Sequence, residues 1–62
     1  MDWITFLKVM IEDEKAAIGK YQLAVEAADS KHLRAILEQL RDEEEIHIDL
    51  LENEISRLEA VS

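Results

Sequence analysis

Apolar residues recur along this chain in alternating steps of four and three. Leu7, Ile11, Ile18, Tyr21, Val25 and Ala28 form one series, and Leu33, Leu37, Leu40, Leu51, Leu58 and Val61 form a second. This is the period of a helix that lays one stripe along a neighbour. It predicts one helix over about 3–28, with Asp2 as its cap, and another over about 31–59. Asp29-Ser30 is the turn between them, and either residue can cap the second helix. So short a connection makes the helices antiparallel neighbours, and residues 1–62 form a single hairpin domain of the all-α class. Ile36, Leu50 and Ile55 widen the second stripe on one flank, as expected of a helix with more than one neighbour. One stripe per helix is little core for 62 residues, so the hairpin is expected to dimerise into a four-helix bundle.

Charge interrupts both series. Glu14 takes the place of a hydrophobe between Ile11 and Ile18, and Glu44 and His47 take two successive places between Leu40 and Leu51. Glu54 also falls on the stripe, two turns after His47, and is assigned to the solvated end of the bundle. Buried carboxylates are expensive unless they are paired or bind a metal, so apolar continuation on both sides of these groups calls for a reason. Glu44 and His47 are three apart, which sets a carboxylate and an imidazole one above the other on a helix. Glu14 lies fifteen residues before Asp29 and Glu44 fifteen after it, so equal rise per residue brings the two carboxylates level. Gly19, beside Ile18, is expected to let another helix approach closely.

Composition narrows what this cluster can do. The absence of cysteine rules out disulfides, thiolate metal sites and an attached rubredoxin-type centre. One Gly and no Pro leave the helices unbroken. A net charge of −8 disfavours nucleic acid and anionic membrane surfaces and suits cations. The N-terminal stretch has no basic opening, small-residue cleavage site or long apolar run, so a cytoplasmic location is expected.

One hairpin therefore supplies two carboxylates and one imidazole. Two copies about a two-fold axis supply four carboxylates and two imidazoles at one level, a donor set suited to two divalent cations, whose combined charge it neutralises. Without metal, the four glutamates would repel each other and weaken the dimer.

The pattern Glu14-x6-Tyr21 followed by Glu44-x2-His47, with the run Asp13-Glu14-Lys15-Ala16-Ala17-Ile18-Gly19-Lys20-Tyr21, resembles the ferritin-like di-iron carboxylate superfamily. Within it, the single hairpin looks most like rubrerythrin-related half-ferritins and encapsulated ferritins. The resemblance runs from about Ile4 to Leu58. It implies a ferritin-like four-helix bundle formed by a homodimer or higher homo-oligomer, with two Fe ions per dimer and Mn as the alternative metal. Glu14 would be a terminal or bridging ligand, Glu44 a bridging carboxylate and His47 the nitrogen ligand. Tyr21 would lend its hydroxyl to a ligand carboxylate, and Glu43 would accept the other imidazole N–H of the partner's His47. The implied activity is ferroxidase oxidation of Fe(II) by dioxygen or hydrogen peroxide. The alternative is a rubrerythrin-like peroxide reductase, which needs an external electron donor because no cysteine-rich domain follows. The tail Leu58-Glu59-Ala60-Val61-Ser62 does not read as a cargo peptide for a shell, and Asp13 and Ala16 give little sign of an additional acidic site.

Plainer readings exist for each residue. Tyr21 taken alone is a core aromatic, His32 an exposed residue of the second helix's first turn, and Trp3 and Phe6 caps on one end of the bundle. The run Asp42 to Glu45 is partly a wet face, with Glu44 and Glu43 turned inward. For the chain as a whole, the competing expectation is a non-catalytic helical module that mediates assembly.

Overall fold

The computed structural model describes residues 1–61 and contains two helices, α1 (Trp3–Ala27) and α2 (Lys31–Val61). They pack side by side as a hairpin 49 Å long and 14 by 13 Å across. The expected boundaries hold to within two residues: α1 ends at Ala27, and α2 continues to Val61. No helix among the described residues is long and apolar enough to cross a membrane.

Local chemistry sets the ends of these elements. The Asp2 side chain accepts from the Thr5 backbone N–H at 3.1 Å and from the Thr5 hydroxyl at 2.7 Å. Ser30, the second of the two caps considered, accepts from the Leu33 backbone N–H at 3.1 Å. Both use the short polar side chain that satisfies an otherwise unpaired donor in the first helical turn. The guanidinium of Arg34 donates back to the carbonyl of Ala28 at 3.5 Å and closes the turn.

The interface between the helices is thin. Among the described residues only Ile11, Val25 and Ile55 are buried, flanked by the half-buried Leu7, Ile18, Leu37, Ile48, Leu51 and Leu58. The α1 seam is the expected one, but the α2 seam is rotated toward Ile48 and Ile55. Leu33 and Leu40, expected in it, are instead exposed. Ile48 is hard to recognise in the sequence because seven acidic residues lie within six positions of it and mask its phase. Gly19 does not serve close packing within the hairpin: a side chain there would meet nothing within 4 Å.

A second stripe accompanies each seam, one residue out of phase. On α1 it comprises Trp3, Phe6, Met10, Ala17 and Ala24; on α2 it comprises Ile36, Leu40, His47, Leu50 and Val61. Phe6, Met10 and Leu50 line one concavity, so the two secondary stripes open on the same flank of the hairpin. Leu50 is 63% exposed there. The opposite flank carries a second concavity with a polar rim of Thr5, Lys8, Glu12, Lys15 and Glu52. Val9, Ile11 and Ile55 floor this second concavity, so the flank lined by Phe6, Met10 and Leu50 is the more apolar of the two, and Leu23 and Ile46 are further exposed apolar side chains.

Two outcomes follow from this packing. Ile55→Ala, which truncates one of the three buried side chains, is expected to lower stability by about 2–4 kcal/mol, whereas Leu23→Ala on the exposed outer face is expected to change it little; urea unfolding compares them. Hydrogen bonds from Thr5 hold the Asp2 carboxyl below its ordinary value of 3.8. A carboxyl depressed in the folded state stabilises at neutral pH and loses that effect as pH falls through its folded value. The helicity difference between the wild type and Asp2→Ala, followed by circular dichroism, should therefore shrink below pH 3.8.

Candidate metal centre

Glu14 comes from the middle of α1, and Glu44 and His47 from the middle of α2. Each offers one donor atom, and the three atoms lie within 4.8 Å of one another. The sequence-level argument that the carboxylates stand level is met. His47 Nδ1 is 3.4 Å from Glu14 Oε2 and 3.7 Å from Glu44 Oε2. One ring nitrogen thus faces both acids, across the hairpin and along its own helix.

Burial within the trio is uneven. The side chains of Glu14 and Glu44 are each 20% exposed, while that of His47 is 53% exposed. On α2, the single stripe expected to carry both Glu44 and His47 is resolved into two. Glu44 lies on the hairpin seam, His47 on the outward secondary stripe, and Glu14 where the two α1 stripes meet. The cluster consequently opens onto the apolar flank. There Glu14 and His47 share a concavity of about 330 Å³ with Phe6, Met10, Leu50 and Leu51.

Glu14 Oε2 is sealed from solvent and has no hydrogen-bond partner. His47 is within ion-pairing distance of it, but without the geometry of a hydrogen bond. A carboxylate oxygen removed from water and left without a donor is costly. Oxygen donors from two acids beside one imidazole nitrogen form a mixed set that divalent iron, manganese or zinc accepts. The residues present fit a metal ion.

The remaining expected site residues are not drawn into this cluster by a single chain. Tyr21 is half-buried on α1 two turns from Glu14 and is not among the clustered donors. Glu43 is exposed and accepts from the Gln39 side-chain amide at 3.0 Å, one turn earlier on α2. Glu54 is engaged by Arg57 through two bonds from Nε at 3.0 and 3.1 Å and a contact from Nη2. That pairing, chiefly its hydrogen bonding, holds the Glu54 carboxyl below its ordinary value. His32 is exposed, as expected. Trp3 and Phe6 pack edge to face with ring centroids 5.8 Å apart near the open end.

Arg41 was missed. It lies one turn before Glu44 on the α2 seam, where its Nη1 donates across the hairpin to Gln22 Oε1 at 2.7 Å while Nε holds Asp42 at 3.2 Å. This is the one cross-helix side-chain hydrogen bond among the described residues. It links α2 to α1 one turn from the cluster. The signal available in sequence was an arginine three residues before Glu44 in the same phase, hidden by its place at the head of an acidic run.

Replacing Glu14 by Leu should separate the two values of this position. Removing a shielded, unpartnered carboxylate is expected to stabilise the metal-free protein by about 1 kcal/mol while abolishing uptake of Co(II), read from its visible absorption; a purely structural Glu14 would give a destabilised variant. In comparisons with known proteins, the chain matches no family model, no curated protein and no solved structure. The ferritin-like resemblance therefore rests on the motif residues of the sequence alone.

Proposed function

We propose that this hairpin is half of a di-metal carboxylate protein. Two copies join through their apolar flanks into a ferritin-like four-helix bundle, and the shared centre oxidises Fe(II) with dioxygen or hydrogen peroxide. The observation that carries this reading is the shielded, unpartnered Glu14 Oε2, set beside Glu44 and His47 on the flank lined by Phe6, Met10 and Leu50.

In this reading Glu14, Glu44 and His47 of each protomer hold the metal. Iron bound there supplies one-electron redox chemistry toward the oxidant. The chain's own part is to concentrate negative charge where cations arrive, to present one imidazole nitrogen between two carboxylates, and to exclude water with Phe6, Met10, Leu50 and Leu51. Neutralising the four carboxylates of the dimer by two divalent cations removes their mutual repulsion, so metal uptake and dimer stability rise together. Tyr21 and Glu43 act as supports, Tyr21 toward a ligand carboxylate and Glu43 toward the ring of the partner's His47. Manganese is the alternative metal, and peroxide reduction with an external electron donor is the alternative reaction at the same centre.

An apolar flank also suits a non-catalytic assembly module, and one titration separates the two readings. Anaerobic addition of Fe(II) to the metal-free protein, followed by air, is expected to saturate near one iron per chain. A near-ultraviolet ferric band should then develop and be lost in His47→Ala. In the same titration the melting temperature is expected to rise by roughly 10 °C or more, as strong ligand linkage requires. A melting temperature indifferent to iron, with Glu14→Ala and Glu26→Ala equally tolerated, would leave the assembly module.

A further inference from the structure

The chain has two methionines, and they stand in opposite surroundings. Met1 is 85% exposed. Met10 is half-buried on α1, one turn before Glu14, and lines the concavity of about 330 Å³ that Glu14 and His47 share with Phe6, Leu50 and Leu51. Of these six side chains, the thioether is the one with a lone pair soft enough to take oxygen from hydrogen peroxide under mild conditions. Bulk peroxide meets Met1 first, and a second copy seated on this flank would shield Met10 further. Oxidation of Met10 ahead of Met1 therefore requires an oxidant delivered from inside the concavity.

We propose that Met10 is an oxidation site that limits the centre's own working life, an inference that rests on the shared-centre reading. Peroxide drawn to Glu14, Glu44 and His47 enters the concavity that Met10 lines, and the thioether there is converted to the sulfoxide. In that step a lone pair on Sδ takes one oxygen of hydrogen peroxide and the O–O bond breaks. The sulfur is oxidised by two electrons, and the second oxygen leaves as water with both hydrogens, so no further oxidant or reductant enters. The product replaces a flexible apolar side chain with a polar one. A sulfoxide on the flank through which the copies join has to be stripped of water for them to meet, which loosens the joint and with it the shared donor set. A bundle that meets excess peroxide thus comes apart and stops. Enzymes of the methionine sulfoxide reductase class reverse the modification, which makes it a switch.

Peptide mapping by mass spectrometry tests this, with iron content and light scattering read on the same samples. Protein loaded anaerobically with Fe(II) below saturation receives hydrogen peroxide in small increments, and metal-free protein receives the same. Without metal, Met1 is expected to gain oxygen first. Iron should reverse the order, raising the ratio of Met10 to Met1 oxidation on the order of tenfold or more, as delivery within one concavity requires. His47→Ala should cancel the reversal. The two-chain species should fall as Met10 sulfoxide rises, whereas Met10→Leu, which keeps the apolar volume and lacks the sulfur, should hold its two-chain species through the same exposure. Met1 oxidised first in protein that has taken up iron would overturn the inference and leave the shared centre standing. Two-chain protein that survives complete oxidation of Met10, or Met10→Leu dissociating alongside the wild type, would do the same. No iron uptake would overturn both.

Discussion

Two carboxylates facing each other between thin helices, one with an oxygen sealed from water and undonated, are the constraint on which the rest of this structure depends. Leucine at positions 14 and 44 would join the apolar seams without interruption and make a firmer hairpin. Glutamate there, with His47 3.4 Å away, instead spends part of a small reserve of stability on a charged cluster. Such a conflict between local patterning and good packing is the usual mark of a functional position.

The thinness of the hairpin and the direction in which the cluster opens belong to one design. Each helix carries an inner seam and an outward stripe one residue out of phase. The inner seams supply Ile11, Val25 and Ile55, the buried residues among those described. The outward stripes carry Phe6, Leu40 and Leu50 together with His47, and Glu14 belongs to both surfaces of α1. A second copy covering this flank would bury the apolar side chains and complete the donor set in a single event, which ties assembly to metal binding through shared residues. The cross-helix bond from Arg41 to Gln22 joins the two helices one turn from Glu44.

Most of the fold was legible in the sequence. Unbroken three-four periodicity, with Asp2 and Ser30 as caps, located both helices within two residues, and the equal spacing of Glu14 and Glu44 about Asp29 placed them side by side. What the sequence concealed was rotation. In α2 the residues 33, 37, 40, 44, 47, 51 and 58 follow a heptad ladder as well as any, yet the real seam favours Ile48 and Ile55. A straight helix drifts relative to a strict seven-residue repeat, and two adjacent stripes cannot be told apart by spacing when both carry apolar residues. The trio itself was legible; the greater exposure of His47 was not, because it depends on which of the two stripes meets α1. Gly19 has no close neighbour within the hairpin, because its face is turned away from the other helix.

The central claim is that one centre is built by two chains, and native mass spectrometry during titration with Mn(II) addresses it most directly. The account predicts that a species of two chains carrying two metal ions accumulates at the expense of metal-free protein, with little metal on single chains, and that Glu14→Leu never acquires metal. Single chains that bind manganese as well as dimers do, or dimers that stay metal-free at saturating manganese, would contradict it.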